Sequence, residues 1–426
     1  MTEVTFTVFM GLVLAWAVTS HLLDRHNVTG ALVFAVSGYL LGNPTWGLLN
    51  VDVATPSVHL LAELALALLL FADAARVNVS QLRRDISFPG RLLGVGLPLS
   101  VILGSLVAAV MFDDFSWALA GFVGATLAPT DAALSAQVIN DERIPLRLRR
   151  ALNVESGLND GIATPIVVFT LAIVAGELGA TSHAESSSAG GALVDLVLGV
   201  VVGLVLGFGS ARLITSGSRR RWIVAGGRRL ATLAAALASF ALAVALDGNG
   251  FIAAFVAGIA FGAGLPKDVA ESHEAAELPE LLGEFMALAV WFLFGAALVP
   301  VALNHLSAST VAYALLSLTA LRMVPVALSL LGAGLDGWTV GFVGWFGPRG
   351  LASVVFALLA IEELGESPMI GEAIAVVALT VSLSVVLHGV SAGPLGSRYV
   401  LAEASNEPAE VPRSRRLGHH SAPTET

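Results

Sequence analysis

Cysteine is missing from all 426 residues, which excludes disulfides, thiolate metal sites and cysteine nucleophiles but says little about redox compartment. Charge is scarce too. Only 13% of residues are Asp, Glu, Lys or Arg, against roughly 25% in a soluble globular chain, so no charged shell can be wrapped around a single water-facing core. A clustered basic surface is also lacking: the net charge is −10 and the pI near 5.4, which argues against a nucleic-acid partner. Ahead of the first apolar run stands Glu3 and no Lys or Arg. A cleaved signal peptide has a basic leading region, so the run is expected to be a retained helix.

What the chain has in abundance is apolar length. Hydrophobic residues make up 56% of it, many in runs near the roughly 20 residues that a helix needs to cross about 30 Å of hydrocarbon. Such runs lie near residues 4–23, 28–42, 58–75, 92–112, 116–138, 151–175 and 191–211 in the first half. In the second half they lie near 230–246, 250–264, 281–302, 309–331, 338–361 and 371–392. The expected fold is therefore an all-α polytopic membrane protein of about thirteen helices embedded in a lipid bilayer.

Cytoplasmic loops carry an excess of Lys and Arg, which tests this division independently. The odd-numbered loops hold Arg25; Arg76, Arg83, Arg84 and Arg91; Arg143, Arg147, Arg149 and Arg150; six arginines from Arg212 to Arg229; and Lys267. The tail adds Arg398, Arg413, Arg415 and Arg416, which brings the tally to 20 of the chain's 22 basic residues. The even-numbered loops hold none and carry acids such as Asp113, Asp114, Glu362 and Glu366. A wrong helix count would scramble this alternation. It puts the amino terminus outside and residues 393–426 in the cytoplasm, as a polar, disordered tail.

The two remaining basic residues, Arg322 and Arg349, fall inside apolar spans. Each ionisable group at bilayer depth costs roughly 2.5 to 3.5 kcal/mol on insertion scales, so it marks a functional site by default. The acids cluster as well. The fifth span reads GATLAPTDAALSA and the sixth ALNVESGLNDGIATPIVVF, which sets Asp131, Glu155 and Asp160 near mid-membrane beside Thr130, Ser156 and Asn159. Hard cations prefer oxygen ligands, and on a helix Glu155, Ser156 and Asn159 share a face, with Asp160 one turn from Ser156. A set of neutral or paired groups that merely packs the bundle is the plainer reading, and three acids in two consecutive spans weigh against it. Glu63 and Asp73 in the third span receive no role.

Two spans are interrupted. Pro129 removes a backbone donor ahead of Thr130 and Asp131, and Gly347, Pro348, Arg349 and Gly350 break the twelfth span. Discontinuous helices at corresponding positions in two halves point to a midplane ion site between inverted repeats, with the broken helices crossing. Asp131 can compensate the positive end of one half-helix and Arg349 the negative end of its counterpart.

With ESGLND in the sixth span, LALLLFADA in the third, APTD in the fifth, NGFIAAFVAG in the ninth and GPRG in the twelfth, residues 4–392 resemble the bacterial sodium/proton exchangers of the cation:proton antiporter-1 family. The resemblance implies that Asn159 and Asp160 are the family's paired Asn and Asp, with Asp160 carrying cation and proton in turn. It implies cation ligands from Thr130, Asp131 and Ser156, and an ion pair between Glu155 and Arg322. It further implies a homodimer in the bacterial inner membrane. The moving core would comprise residues near 92–175 and 309–392, the dimerisation helices would lie near 4–75 and 230–302, and 191–211 would link them. One departure stands out: the family often has proline after the aspartate of the fifth helix, and here Ala132 follows Asp131, while Pro129 can supply the break.

The mechanism these residues suggest is competition for one carboxylate that holds either a cation (Na+, with Li+ or K+ as further candidates) or a proton. Exchange would be electroneutral, since Asn159 cannot titrate, and the chain would need no cofactor and be no enzyme. Two rivals use other chemistry. An intramembrane serine protease would need Ser156 and His388 within hydrogen-bond reach. A channel or uniporter would pass ions without proton counterflow.

Overall fold

The computed structural model describes residues 3–43, 45–49, 55–77, 87–179, 189–266, 276–365 and 367–406, and the regular structure among these is helical throughout. Of the residues singled out from the sequence, Arg83, Arg84, Lys267, Glu366, Arg413, Arg415 and Arg416 lie outside the described residues. Nine helices among the described residues are long and apolar enough to cross a membrane, from Glu3–Leu23 to Pro368–Ala402. Shorter apolar helices are Gly30–Gly42, Trp117–Thr126 and Gly250–Gly264. The third-span helix Pro56–Arg76, with 21 residues at 1.5 Å each, is about 31 Å long and so matches the hydrocarbon layer. Each expected span falls on one helix or on two or three consecutive helical pieces.

The interruptions have local causes. In the fourth span a π-helical turn, Leu92–Gly96, comes just before Pro98, and in the tenth another, Phe294–Leu298, comes just before Pro300. Proline has no N–H to donate, and the widened turn accommodates the missing bond. The fifth span stops as a helix at Trp117–Thr126, runs irregularly past Pro129, and resumes in the short turns Ala133–Ser135 and Ala136–Ile139. The twelfth divides into Gly337–Trp345, with Asp336 accepting from the Trp338 and Thr339 N–H groups as its N-cap, and Leu351–Leu364. The two breaks touch: the Asp131 N–H donates to the Pro348 carbonyl at 2.8 Å.

Helices in a membrane associate through small residues that let backbones approach closely. The ninth-span helix Gly250–Gly264 sits between two others on this principle. Cβ atoms at Gly199, Gly203 and Gly207 of the seventh-span helix would run into the carbonyls of Asn249, Ala253 and Ala257. At Gly258 and Gly262 they would meet the carbonyls of Phe71 and Ala75 in the third. Phe255 in turn covers Gly161, so the NGFIAAFVAG run is held against the residue that follows Asp160.

One expectation is corrected at the C-terminal end. The helix of the thirteenth span does not stop near 392 but continues from Pro368 to Asn406, so residues 393–406 are helical and not a disordered tail. Ala392, Leu395 and Tyr399, spaced three and four apart, bury one face against Phe88, Leu92, Phe342 and their neighbours. The Tyr399 hydroxyl lies 3.0 Å from Thr339 Oγ1. Residues 407–426 lie outside the described residues.

Candidate functional site

The break in the fifth span brings Thr130 out of helical geometry and against the sixth-span helix Leu146–Leu178. Asn159 Nδ2 donates to Thr130 Oγ1 at 2.7 Å, and Thr130 Oγ1 lies 3.1 Å from Ser156 Oγ. Three of the neutral groups expected at the site thus form one chain, and all three are buried. Asn159 Oδ1 finds no hydrogen-bond partner among the described residues, which leaves an unused buried oxygen next to Asp160. Asp160 itself is only partly buried, and no described residue hydrogen-bonds its carboxylate. Asp131 and Asp73 lie within electrostatic range of it.

The other charges are compensated. Glu155 Oε1 stands 2.6 Å from Arg322 Nη1, with each residue only 1% exposed, so the pair sits in a medium where neither charge could stand alone. Asp131 accepts from the Ala133 N–H at 2.8 Å through Oδ1 and from the Leu351 N–H at 3.1 Å through Oδ2. The second bond caps the first turn of Leu351–Leu364, where the helix dipole is positive. Arg349 answers on the opposite side. Its Nη1 donates to the carbonyls of Ala128 at 3.0 Å and Pro129 at 3.3 Å, just past the end of Trp117–Thr126, and its Nη2 donates to the Ser317 carbonyl at 3.1 Å. Pro129 therefore lies inside the break, and Ala132 does not prevent it.

The glycines of GPRG make room for these charges. A Cβ at Gly350 would land on the Asp131 carboxylate, and one at Gly347 would press on Arg322 Nε and the Thr130 methyl group. Neither contact could be read from the sequence, which marks the glycines only as helix breakers. Asp73, which the sequence left without a role, lines a cavity of about 470 Å³ together with Arg76, Arg147, Arg150, Asn153 and Gly157. Ala132 and Gly157, the chain neighbours of Asp131 and Ser156, both line it. Arg76 is held there by a two-pronged pair with Glu280.

His388 does not meet Ser156. Its Nδ1 is 2.9 Å from the Ser384 carbonyl and its Nε2 is 2.9 Å from the Trp345 carbonyl, while Ser156 is engaged with Thr130. The serine-protease geometry is absent from this pair. Among the described residues, no three His, Asp or Glu side chains are grouped to hold a metal ion.

The chain matches known proteins along most of its length. The model of the family "Sodium/hydrogen exchanger, transmembrane" matches residues 7–398. A K(+)/H(+) antiporter NhaP2 of Shewanella sp. (strain MR-4) is 25% identical over 340 residues, covering 79% of this chain and 57% of the relative. A K(+)/H(+) antiporter NhaP of Alkalimonas amylolytica is 26% identical over 334 residues, covering 77% of this chain and 55% of the relative. The chain thus spans a little over half the length of these relatives. In fold it resembles the sodium proton antiporter MjNhaP1 of Methanocaldococcus jannaschii, with a TM-score of 0.73 at 19% identity, covering 93% of this chain and 98% of that one. By this match over nearly its whole length, the chain belongs to the sodium/hydrogen exchanger family.

Proposed function

We propose that the protein is a secondary transporter that exchanges a monovalent cation for H+ across a bacterial inner membrane by competition at Asp160. One observation carries the reading. Asp160 is a carboxylate that no described residue hydrogen-bonds, set beside a chain of neutral oxygens, whereas Glu155, Arg322, Asp131 and Arg349 all have partners. A group so placed can hold a cation or a proton, and either one removes its charge. Ser156, Thr130, Asn159 and Asp131 supply the further oxygens that a hard cation prefers. Na+ is the cation of the family's name and K+ that of the NhaP relatives, so both belong in the test along with Li+.

The wider reading follows from this site. Thirteen spans place the amino terminus outside, two broken helices cross at the site between inverted repeats, and the chain works as a homodimer whose core moves against the dimerisation helices. The cavity at Asp73 is then the cytoplasmic approach. The experiment is reconstitution in liposomes that enclose a pH dye, with pulses of NaCl, KCl or LiCl. Cation-triggered proton movement supports exchange. Cation entry with no proton counterflow would establish the channel reading in its place.

A further inference from the structure

The cavity lies at the C-terminal end of the third-span helix. Asp73 and Arg76 line it near the C-terminal end, while His59, near the N-terminal end, is 4% exposed. Fourteen residues separate His59 from Asp73, or about 21 Å along the helix axis. Beside His59 lies the far end of the twelfth span: its Nδ1 stands 3.1 Å from Oε2 of the exposed Glu362. Among the described residues His59 Nδ1 forms no hydrogen bond, so the contact can part without breaking one. Glu63 stands one turn further along the same helix, half-buried and within electrostatic range of Glu362 and Glu363.

Glu362 belongs to Leu351–Leu364, the half-helix whose first N–H group is capped by Asp131. One short rigid rod therefore has the ion site at its start and the His59 contact about 16 Å further on. Glu362 and His59 also stand on opposite sides of the proposed division, one in the moving core and one among the dimerisation helices. We propose that His59 and Glu362 form a clasp that holds the extracellular end of the path shut while the cytoplasmic end is open, and that this clasp parts in every transport cycle. The proposal rests on the exchange function set out above. The half-helix links the two events: a displacement that carries Asp131 and Asp160 toward the outside pulls Glu362 away from the third-span helix.

The chain has no cysteine, so thiols can be introduced singly with no background. The first arm joins His59→Cys and Glu362→Cys with a short bis-methanethiosulfonate reagent in proteoliposomes. Exchange should fall at least tenfold and return with dithiothreitol; a crosslinked protein that exchanges at the uncrosslinked rate would overturn the clasp. The second arm needs no transport. Glu63→Cys is labelled from outside with a membrane-impermeant maleimide, with and without His59→Ala, and labelling should quicken several-fold when the clasp is removed. Equal labelling rates would overturn it even if the double-cysteine chain does not fold. If the intact protein moves no protons but labelling still quickens, the exchange reading fails, and with it the parting of the clasp in each cycle, while closure by the His59–Glu362 contact stands.

Discussion

Replacing Asp160 by asparagine keeps the size of the side chain and removes its charge. The amide can neither release a proton nor balance a cation, so Asp160→Asn should insert, melt near the wild-type temperature and show no cation-triggered pH change. Transport at the wild-type rate would remove Asp160 from the centre of the mechanism. Glu155 and Arg322 have a different logic. Taking away one member of a buried pair strands the other, at a cost of about 3 to 5 kcal/mol. Glu155→Gln and Arg322→Met should therefore each lower the melting temperature in detergent, and the double variant should recover part of the loss. Two single variants that melt like wild type would mean that the pair contributes little. Which acids lie on the broken fifth span and the sixth-span helix was legible from ESGLND and APTD. The hydrogen bond from Asn159 to Thr130 was not, because it depends on how a non-helical break lies against a helix in another span.

At the scale of elements, Arg349 bonds carbonyls from two segments, the break after Trp117–Thr126 and the end of Ala308–Leu318. Arg349→Ala would leave those carbonyls buried and unpaired, and exchange should fall by at least tenfold; intact exchange would show that the helix ends are satisfied without it. Gly350→Ala tests the other side of the joint. Its backbone angles are open to alanine, so the effect comes from the Cβ meeting the Asp131 carboxylate, and transport should fall although helix content is kept. Proline and glycine announced both of these breaks. Nothing announced the one at Thr319, where φ is −116° and ψ −94° within SLTALR, because no residue type there demands it. The helix to Asn406 was missed for another reason. Polar composition dominated the reading, while the signal lay in the spacing of Ala392, Leu395 and Tyr399.

For the whole molecule the charge inventory sets a stoichiometry. Asn159 cannot titrate, Glu155 is held by Arg322, and both carboxylate oxygens of Asp131 are taken by backbone N–H groups. That leaves one carboxylate in the core to trade its ligand, and one cation for one proton moves no net charge. In proteoliposomes at saturating substrate, a potential set by valinomycin and K+ should leave the Na+-driven pH change unaltered. An electrogenic cycle would be displaced by about 2.3 kcal/mol per charge per 100 mV. A clear displacement would require a second titrating group. The all-helical, many-span fold and the family were legible from run lengths and a few motifs. The contact of His59 with Glu362 and the cavity beside Asp73 were not, because both depend on how distant helices lean on one another.

The pairing of Glu155 with Arg322, and of Asp131 and Arg349 with their half-helix ends, also bears on leakage. With those charges cancelled, an unloaded core carries a single uncompensated negative charge on Asp160, whereas a core loaded with either cation or proton carries none. Moving a bare charge through low-dielectric surroundings is costly, so the empty protein is the species least able to reorient. On the exchange proposed above, tight coupling then follows from this electrostatic cost, because each passage outward would be matched by a passage inward with the site filled.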